Sequence, residues 1–167
     1  MRAIFFWSTL ALLTIPQAAD ASHCTPESGP FLSTLEQGPG CSTSPIAMCT
    51  HGQLHGALEA RYEFTFQTLT PDPYEPTRSN YTGVSVIAFT DGRAQMFSQD
   101  AGFFLIRPDG EAIFETTVHF TGGTADYLHA SGQLVASGLL DFATGSGDGS
   151  YIGSICRPSL AVGCEVR

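Results

Sequence analysis

The chain contains no lysine: its seven basic residues are all arginine, set against sixteen acidic ones. Charged residues amount to 14% of the 167 positions, where about a quarter is usual for a soluble domain. A net charge of −9 repels phosphate backbones and anionic headgroups, so nucleic acid and membrane surfaces are excluded as partners. The apolar run at residues 3–15 is too short for a membrane span, which needs about 20 residues. There is no CxxC pair, no G-x-S-x-G elbow, no phosphate loop and no dinucleotide fingerprint. The enzyme classes built on those motifs lose support, and no cofactor is expected. Sustained 3.6-residue periodicity is also missing after residue 21. With 43% hydrophobic residues, the chain can still build one real core, and its length leaves no room for a large multidomain enzyme.

Residues 1–21 have the layout of a secretory signal peptide. Arg2 supplies the positive start, residues 3–15 the apolar stretch, and Ala19-Asp20-Ala21 the small residues at the cleavage positions. Cleavage after Ala21 removes Arg2 and Asp20 together, leaving the net charge at −9 and no membrane anchor. The expected location is therefore secreted, whether periplasmic or extracellular. All five cysteines, Cys24, Cys41, Cys49, Cys156 and Cys164, survive in a compartment where disulfides persist. Their spacings of 17, 8, 107 and 8 residues fit no zinc pattern. Structural disulfides are expected, with one cysteine left over and the connectivity open.

Residues 22–48 are rich in Ser, Thr, Pro and Gly, and read as an irregular lead tied down by Cys24 and Cys41. From Gly52 the pattern changes. Leu54, Leu58, Ala60, Tyr62, Phe64 and Phe66 alternate with His55, Glu59, Arg61, Glu63, Thr65 and Gln67, the signature of a strand with one buried face. The run is long for one strand, so Gly56 is expected at a bulge or bend. Residues 71–76, Pro-Asp-Pro-Tyr-Glu-Pro, must form a loop. Further strands are expected over 81–90, 93–98 with 101–107, 112–120, 130–142 and 150–156. They are separated by Asp91-Gly92, Pro108-Asp109-Gly110, residues 121–124 and a glycine-rich turn at 144–149.

Seven or eight strands with turns this frequent indicate an all-β antiparallel barrel or, alternatively, a β-sandwich. The predicted organisation is a barrel domain over 49–157 with a tail at 158–167. In an up-and-down barrel with an even strand count, the first and last strands are neighbours. Cys49 precedes the first expected strand and Cys156 closes the last, so a Cys49–Cys156 bridge would staple the seam. A local Cys156–Cys164 bridge is the alternative.

Three stretches carry a resemblance: Phe89-Thr90-Asp91-Gly92, Asp100-Ala101-Gly102, and residues 122–132, where Gly122-Gly123 leads through Tyr127 to Ser131-Gly132. Thr144-Gly145 and Tyr151-Ile152-Gly153 extend it. Over residues 49–157 this pattern resembles allene oxide cyclase-like barrels, whose fold dirigent proteins share, and in particular bacterial secreted members. The chain departs from it at Ala125, where a third glycine is common, and at Leu128-His129, where smaller residues are usual. The resemblance implies an eight-stranded up-and-down barrel with an apolar cavity. It implies binding or orienting of a small apolar or aromatic molecule; the alternatives are a cofactor-independent cyclase or isomerase, and a structural or surface-interaction protein with a filled barrel. Assembly into a homo-oligomer is compatible with it.

Candidate site residues follow from the strand faces. Tyr62, Phe64 and Phe66 share one face and are expected to line the interior, as core or as ligand-binding wall. Glu115 and His119 share a face with Thr117 between them, and would form an acid–base pair if that face pointed inward. Phe114, Thr116, Val118 and Phe120 look more like the buried side. His51 and His55, with Cys49 nearby, are the nearest approach to a metal motif. On a strand, residues four apart lie about 13 Å from each other, so no metal site is expected. Residues 141–148 resemble a calcium turn but lack spaced acidic ligands, and read as a plain glycine turn. Asn80-Tyr81-Thr82 is a formal glycosylation sequon, relevant only in a eukaryotic host.

Overall fold

A computed structural model describes residues 22–158 of the chain. Eight strands follow one another: β1 Ser22–Gln37, β2 Met48–Leu54, β3 Ala60–Pro71, β4 Arg78–Phe89, β5 Gln95–Ile106, β6 Glu111–Gly123, β7 Ser131–Asp141 and β8 Ser146–Pro158. Each pairs antiparallel with the next, and β1 pairs with β8, so the sheet closes on itself as an up-and-down barrel. The sandwich alternative is excluded. Closure removes the free sheet edges that an open sheet of this length would expose. Among the described residues no helix is long and apolar enough to cross a membrane. The expected signal peptide, the tail beyond Pro158 and Cys164 lie outside the described residues.

The expected lead at 22–48 is corrected: its first sixteen residues are β1, the strand that closes the barrel. Its Ser, Thr, Pro and Gly content hid the strand, and Pro26 and Pro30 cannot donate to a ladder. Their missing N–H groups cost nothing here, because β1 pairs with β2 only from Phe31 onward while it pairs with β8 over its whole earlier length. Pro30 turns its carbonyl to that open side and accepts from the His55 N–H at 3.0 Å. The long alternating run at 54–67 is two strands, not one bent strand. Gly56, at φ +92°, supplies the left-handed turn between them. Even positions face inward on both sides of that turn, so the alternation runs through it unbroken. Residues 95–106 form one continuous strand, with a register shift between Phe97 and Ser98.

The first strand being β1 also changes the seam. Cys24, not Cys49, bonds to Cys156, and the two residues are direct register partners on β1 and β8. Cys41 bonds to Cys49, clipping the β1–β2 connection. The expected Cys49–Cys156 pairing is thus overturned, and so is a link between Cys24 and Cys41. The alternative Cys156–Cys164 pairing is excluded by the Cys24–Cys156 bond. A staple at the seam is nevertheless what forms.

One apolar cluster lines the barrel interior. Toward the β2–β3, β4–β5 and β6–β7 turns it contains Leu58, Met96, Phe120, Ala130 and Ile155; toward the other end it contains Leu35, Met48, Ala112 and Leu140. The Tyr151 hydroxyl ties the β2–β3 turn across the first of these ends: it donates to the His55 carbonyl at 2.8 Å and accepts from the Leu58 N–H at 2.9 Å.

The two bridges span 132 and 8 residues. In the chain-entropy treatment, loops of those sizes restrict the unfolded chain by about 5 and about 2.5 kcal/mol. In urea unfolding, Cys24→Ser/Cys156→Ser is expected to lose roughly twice as much stability as Cys41→Ser/Cys49→Ser. Equal losses would contradict the pairing.

Candidate functional site

Large side chains project inward from almost every strand, and between them lies a cavity of about 100 Å³. Tyr62, Phe64 and Phe66 of β3 form one wall, continued by Tyr81 of β4 and Phe104 of β5. Phe66 packs edge-on to Phe64 at 4.5 Å between ring centroids, and Tyr81 lies 4.7 Å from Phe104. Phe31 of β1 and Phe114 of β6, 5.9 Å apart, close the opposite side with Leu134 and Ala136 of β7. All three inward residues expected on β3 therefore reach the cavity. Phe66 and Phe64 are buried, and Tyr62 is partly buried.

The polar groups are few and sit at defined points. Asp100 of β5 is 4% exposed and accepts a short hydrogen bond from the Ser85 hydroxyl of β4. Its second oxygen, Oδ1, is buried without a partner among the described residues, as is the hydroxyl of Ser98 beside it. Loss of solvation raises the Asp100 pKa above the ordinary carboxylate value, while the hydrogen bond from Ser85 and the charge of His119 act the other way. The Tyr81 hydroxyl shares a hydrogen bond with Thr116, and burial pushes its pKa well up. Tyr62 is pushed up to about 12 by burial, against the nearby Ser33 and Thr50 hydroxyls. Both phenols are neutral donors at physiological pH. A carboxyl group biased toward its neutral form can donate a proton or a hydrogen bond to an oxygen held among the rings.

Glu115 and His119 are exposed on the outer face of β6, while Phe114, Thr116 and Val118 line the cavity. The pair therefore does not face the interior. Arg61 and Glu63 point outward likewise. His51 and His55 are apart: His51 lies 3.7 Å from Glu36, and His55 lies 3.3 Å from Glu59. At the β7–β8 turn, Asp141 accepts from the N–H groups of Ala143 and Thr144, an ordinary turn arrangement. Asn80 is exposed and bonded to Asp72 and Arg78.

Asp100 was absent from the sequence-derived candidates. Dividing β5 into 93–98 and 101–107 put it in the gap between two strands. Read continuously, Met96, Ser98, Asp100, Gly102 and Phe104 fall on one face, and a lone acid on that face is the signal.

No protein-family model matches the chain, and no curated protein matches it. A solved structure similar to it is that of a pterocarpan synthase dirigent protein, with 14% sequence identity and a TM-score of 0.52. The match covers 90% of this chain and 99% of that one. At this identity the likeness establishes the fold, a dirigent-like barrel.

The raised Asp100 pKa has a consequence for stability. The neutral form stabilises the fold fully below the unfolded carboxylate pKa, and that contribution is lost as pH rises through the folded value. Asp100→Asn keeps the shape and cannot ionise. Its Tm is expected to match that of the parent protein in acid and to exceed it increasingly as pH climbs. A parent protein at least as stable as the variant in alkali would show that the carboxylate is accommodated without cost.

Proposed function

We propose that the protein binds and orients a small apolar or aromatic molecule inside its barrel, and that the size of the cavity points to a single ring. The carrying observation is the aromatic-walled space of about 100 Å³ with one acid, Asp100, beside Ser85 in its wall. Pockets for drug-sized ligands run to roughly 300–1,000 Å³, and an engineered apolar cavity that admits benzene is about 150 Å³, half as large again as this one. A single ring is therefore the upper limit without movement of the walls. A bicyclic or chain-like ligand would require the rings to move. A scaffold barrel packed through its interior would leave no such space, so binding is favoured over a purely structural role. The dirigent-like fold supports the same reading, because such a barrel presents a shaped interior rather than a set of reactive groups. Export fits it as well: the two disulfides are of the kind that oxidising compartments preserve.

A second reading, a cofactor-independent isomerase or cyclase, is favoured by one feature, the buried Asp100 with its unpartnered oxygen. In that case Asp100 protonates the bound molecule while the rings hold its conformation.

Binding is tested with phenol and benzene as probes, followed by ligand-observed NMR on the full chain. Both should bind, and Ala136→Leu, which fills the space from β7, should weaken binding at least tenfold while the fold is kept. Unchanged binding in Ala136→Leu would place the probes elsewhere and sink the proposal. For any molecule found to be converted, Asp100→Asn should leave affinity within a few-fold. If Asp100 is the acid, the variant should slow conversion by at least about 100-fold. Conversion at the parent rate would remove Asp100 from the chemistry.

A further inference from the structure

The outer face of the β1–β2 hairpin gathers four groups that are scattered in the sequence. Glu36 of β1 and Cys49 of β2 are direct cross-strand partners, and His51 follows two positions along the same outward face. The short turn Pro39–Cys41 brings Cys41 back over this pair. The sulfurs of Cys41 and Cys49 and a carboxylate oxygen of Glu36 all lie within 4.8 Å of one another. His51 Nδ1 stands 3.7 Å from the other side of the arrangement, at Glu36 Oε1. Cys41 and Cys49 are 1% and 6% exposed, whereas Glu36 and His51 are about half exposed and free to swing.

We propose that the Cys41–Cys49 disulfide masks a divalent metal site of the zinc type, with Cys41, Cys49, His51 and Glu36 as its ligands. Two thiolates, an imidazole and a carboxylate are a donor set that zinc accepts in tetrahedral geometry. With metal–sulfur bonds of about 2.3 Å and metal–nitrogen or metal–oxygen bonds of about 2.1 Å, neighbouring ligands stand roughly 3.3–3.8 Å apart. The His51–Glu36 separation already has that value. The sulfurs must part from bonding distance, and the closed β1–β2 hairpin holds them close when they do. The half-exposed His51, which stands outside the group of three donors that lie within 4.8 Å of one another, must swing toward them. This lies outside the barrel and does not depend on any ligand in the cavity.

The site exists only in the reduced form. A trialkylphosphine and water convert the disulfide to two thiols: the phosphine takes the oxygen as its oxide, and the two protons go to the sulfurs. A divalent cation then displaces both thiol protons and is held by the thiolates. Oxidation and metal thus compete for the same two sulfurs, and bound metal protects them from re-forming the bridge.

Cobalt(II) is the probe, titrated into the full chain before and after phosphine reduction. One equivalent should bind the reduced protein with the thiolate-to-cobalt charge-transfer band and strong visible bands of a tetrahedral ion; the oxidised protein should show neither. Cys24→Ser/Cys156→Ser should keep the spectrum, and His51→Ala should weaken binding at least tenfold. A second arm needs no reductant and leaves the seam bridge intact. Cys41→His combined with Cys164→Ser frees Cys49 beside two imidazoles, and should take up cobalt with a single-thiolate band. A band that survives Cys41→Ser/Cys49→Ser would overturn the proposal. So would a reduced chain without the band together with a Cys41→His chain that takes up no cobalt.

Discussion

The interior of this barrel depends on rings lying over glycines. Eight strands enclose just enough width for side chains to fill. Yet the chain puts Phe31, Tyr62, Phe66, Tyr81, Phe114 and Tyr151 inside it, each opposite a glycine on a neighbouring strand: Gly149, Gly52, Gly83, Gly102, Gly138 and Gly29 respectively. A Cβ added at Gly52 would stand 2.7 Å from the Tyr62 ring, and one at Gly102 would stand 2.7 Å from Tyr81. Phe31, Tyr62, Tyr81 and Tyr151 therefore lie across the backbone of the next strand at Gly149, Gly52, Gly102 and Gly29, and at Gly83 the ring that does so is that of Phe64. This arrangement closes the wall and leaves the axis partly empty. Alanine at Gly52 or Gly102 would meet a carbonyl oxygen of the flanking strand, that of Leu32 or Glu115, as well as the ring.

The same arrangement sets the chemistry. Walls built from flat rings are dry, so the few polar groups among them act strongly. Asp100 is disfavoured as an anion by the loss of water around it, and Ser85 satisfies only one of its oxygens. In an apolar cavity a carboxyl biased toward its neutral form, beside a hydroxyl, can orient a bound group and supply a proton. The two phenols, Tyr62 and Tyr81, are held neutral by burial and add hydrogen-bonding hydroxyls rather than charge. Under the proposed binding role, this arrangement suits a small flat molecule with a polar edge.

Much of the barrel was legible in the sequence because alternation reports burial directly. Tyr62, Phe64 and Phe66 read as an inward face, and Ile113, Glu115, Thr117 and His119 as the opposite one, because a strand cannot present both sides to one core. The Asp91-Gly92 turn was equally readable from its local chemistry. What escaped was set by tertiary context. Pro26 and Pro30 argue against a ladder strand unless one edge of that strand is open, and only the assembled barrel shows that edge. Without β1 in place, the seam moved to the wrong cysteine. Asp100 escaped because the polar pair Gln99-Asp100 made one strand read as two, and the place of Glu36 beside Cys49 and His51 escaped because cross-strand register cannot be read along one strand.

The central claim is that the rings leave real space between them. A crystal of the protein under xenon pressure tests this most directly, since xenon enters apolar voids without needing a polar contact. The account predicts a xenon atom inside the barrel, among Tyr62, Phe64, Tyr81 and Phe104. Xenon confined to the outer surface, with an interior packed to van der Waals contact, would contradict it.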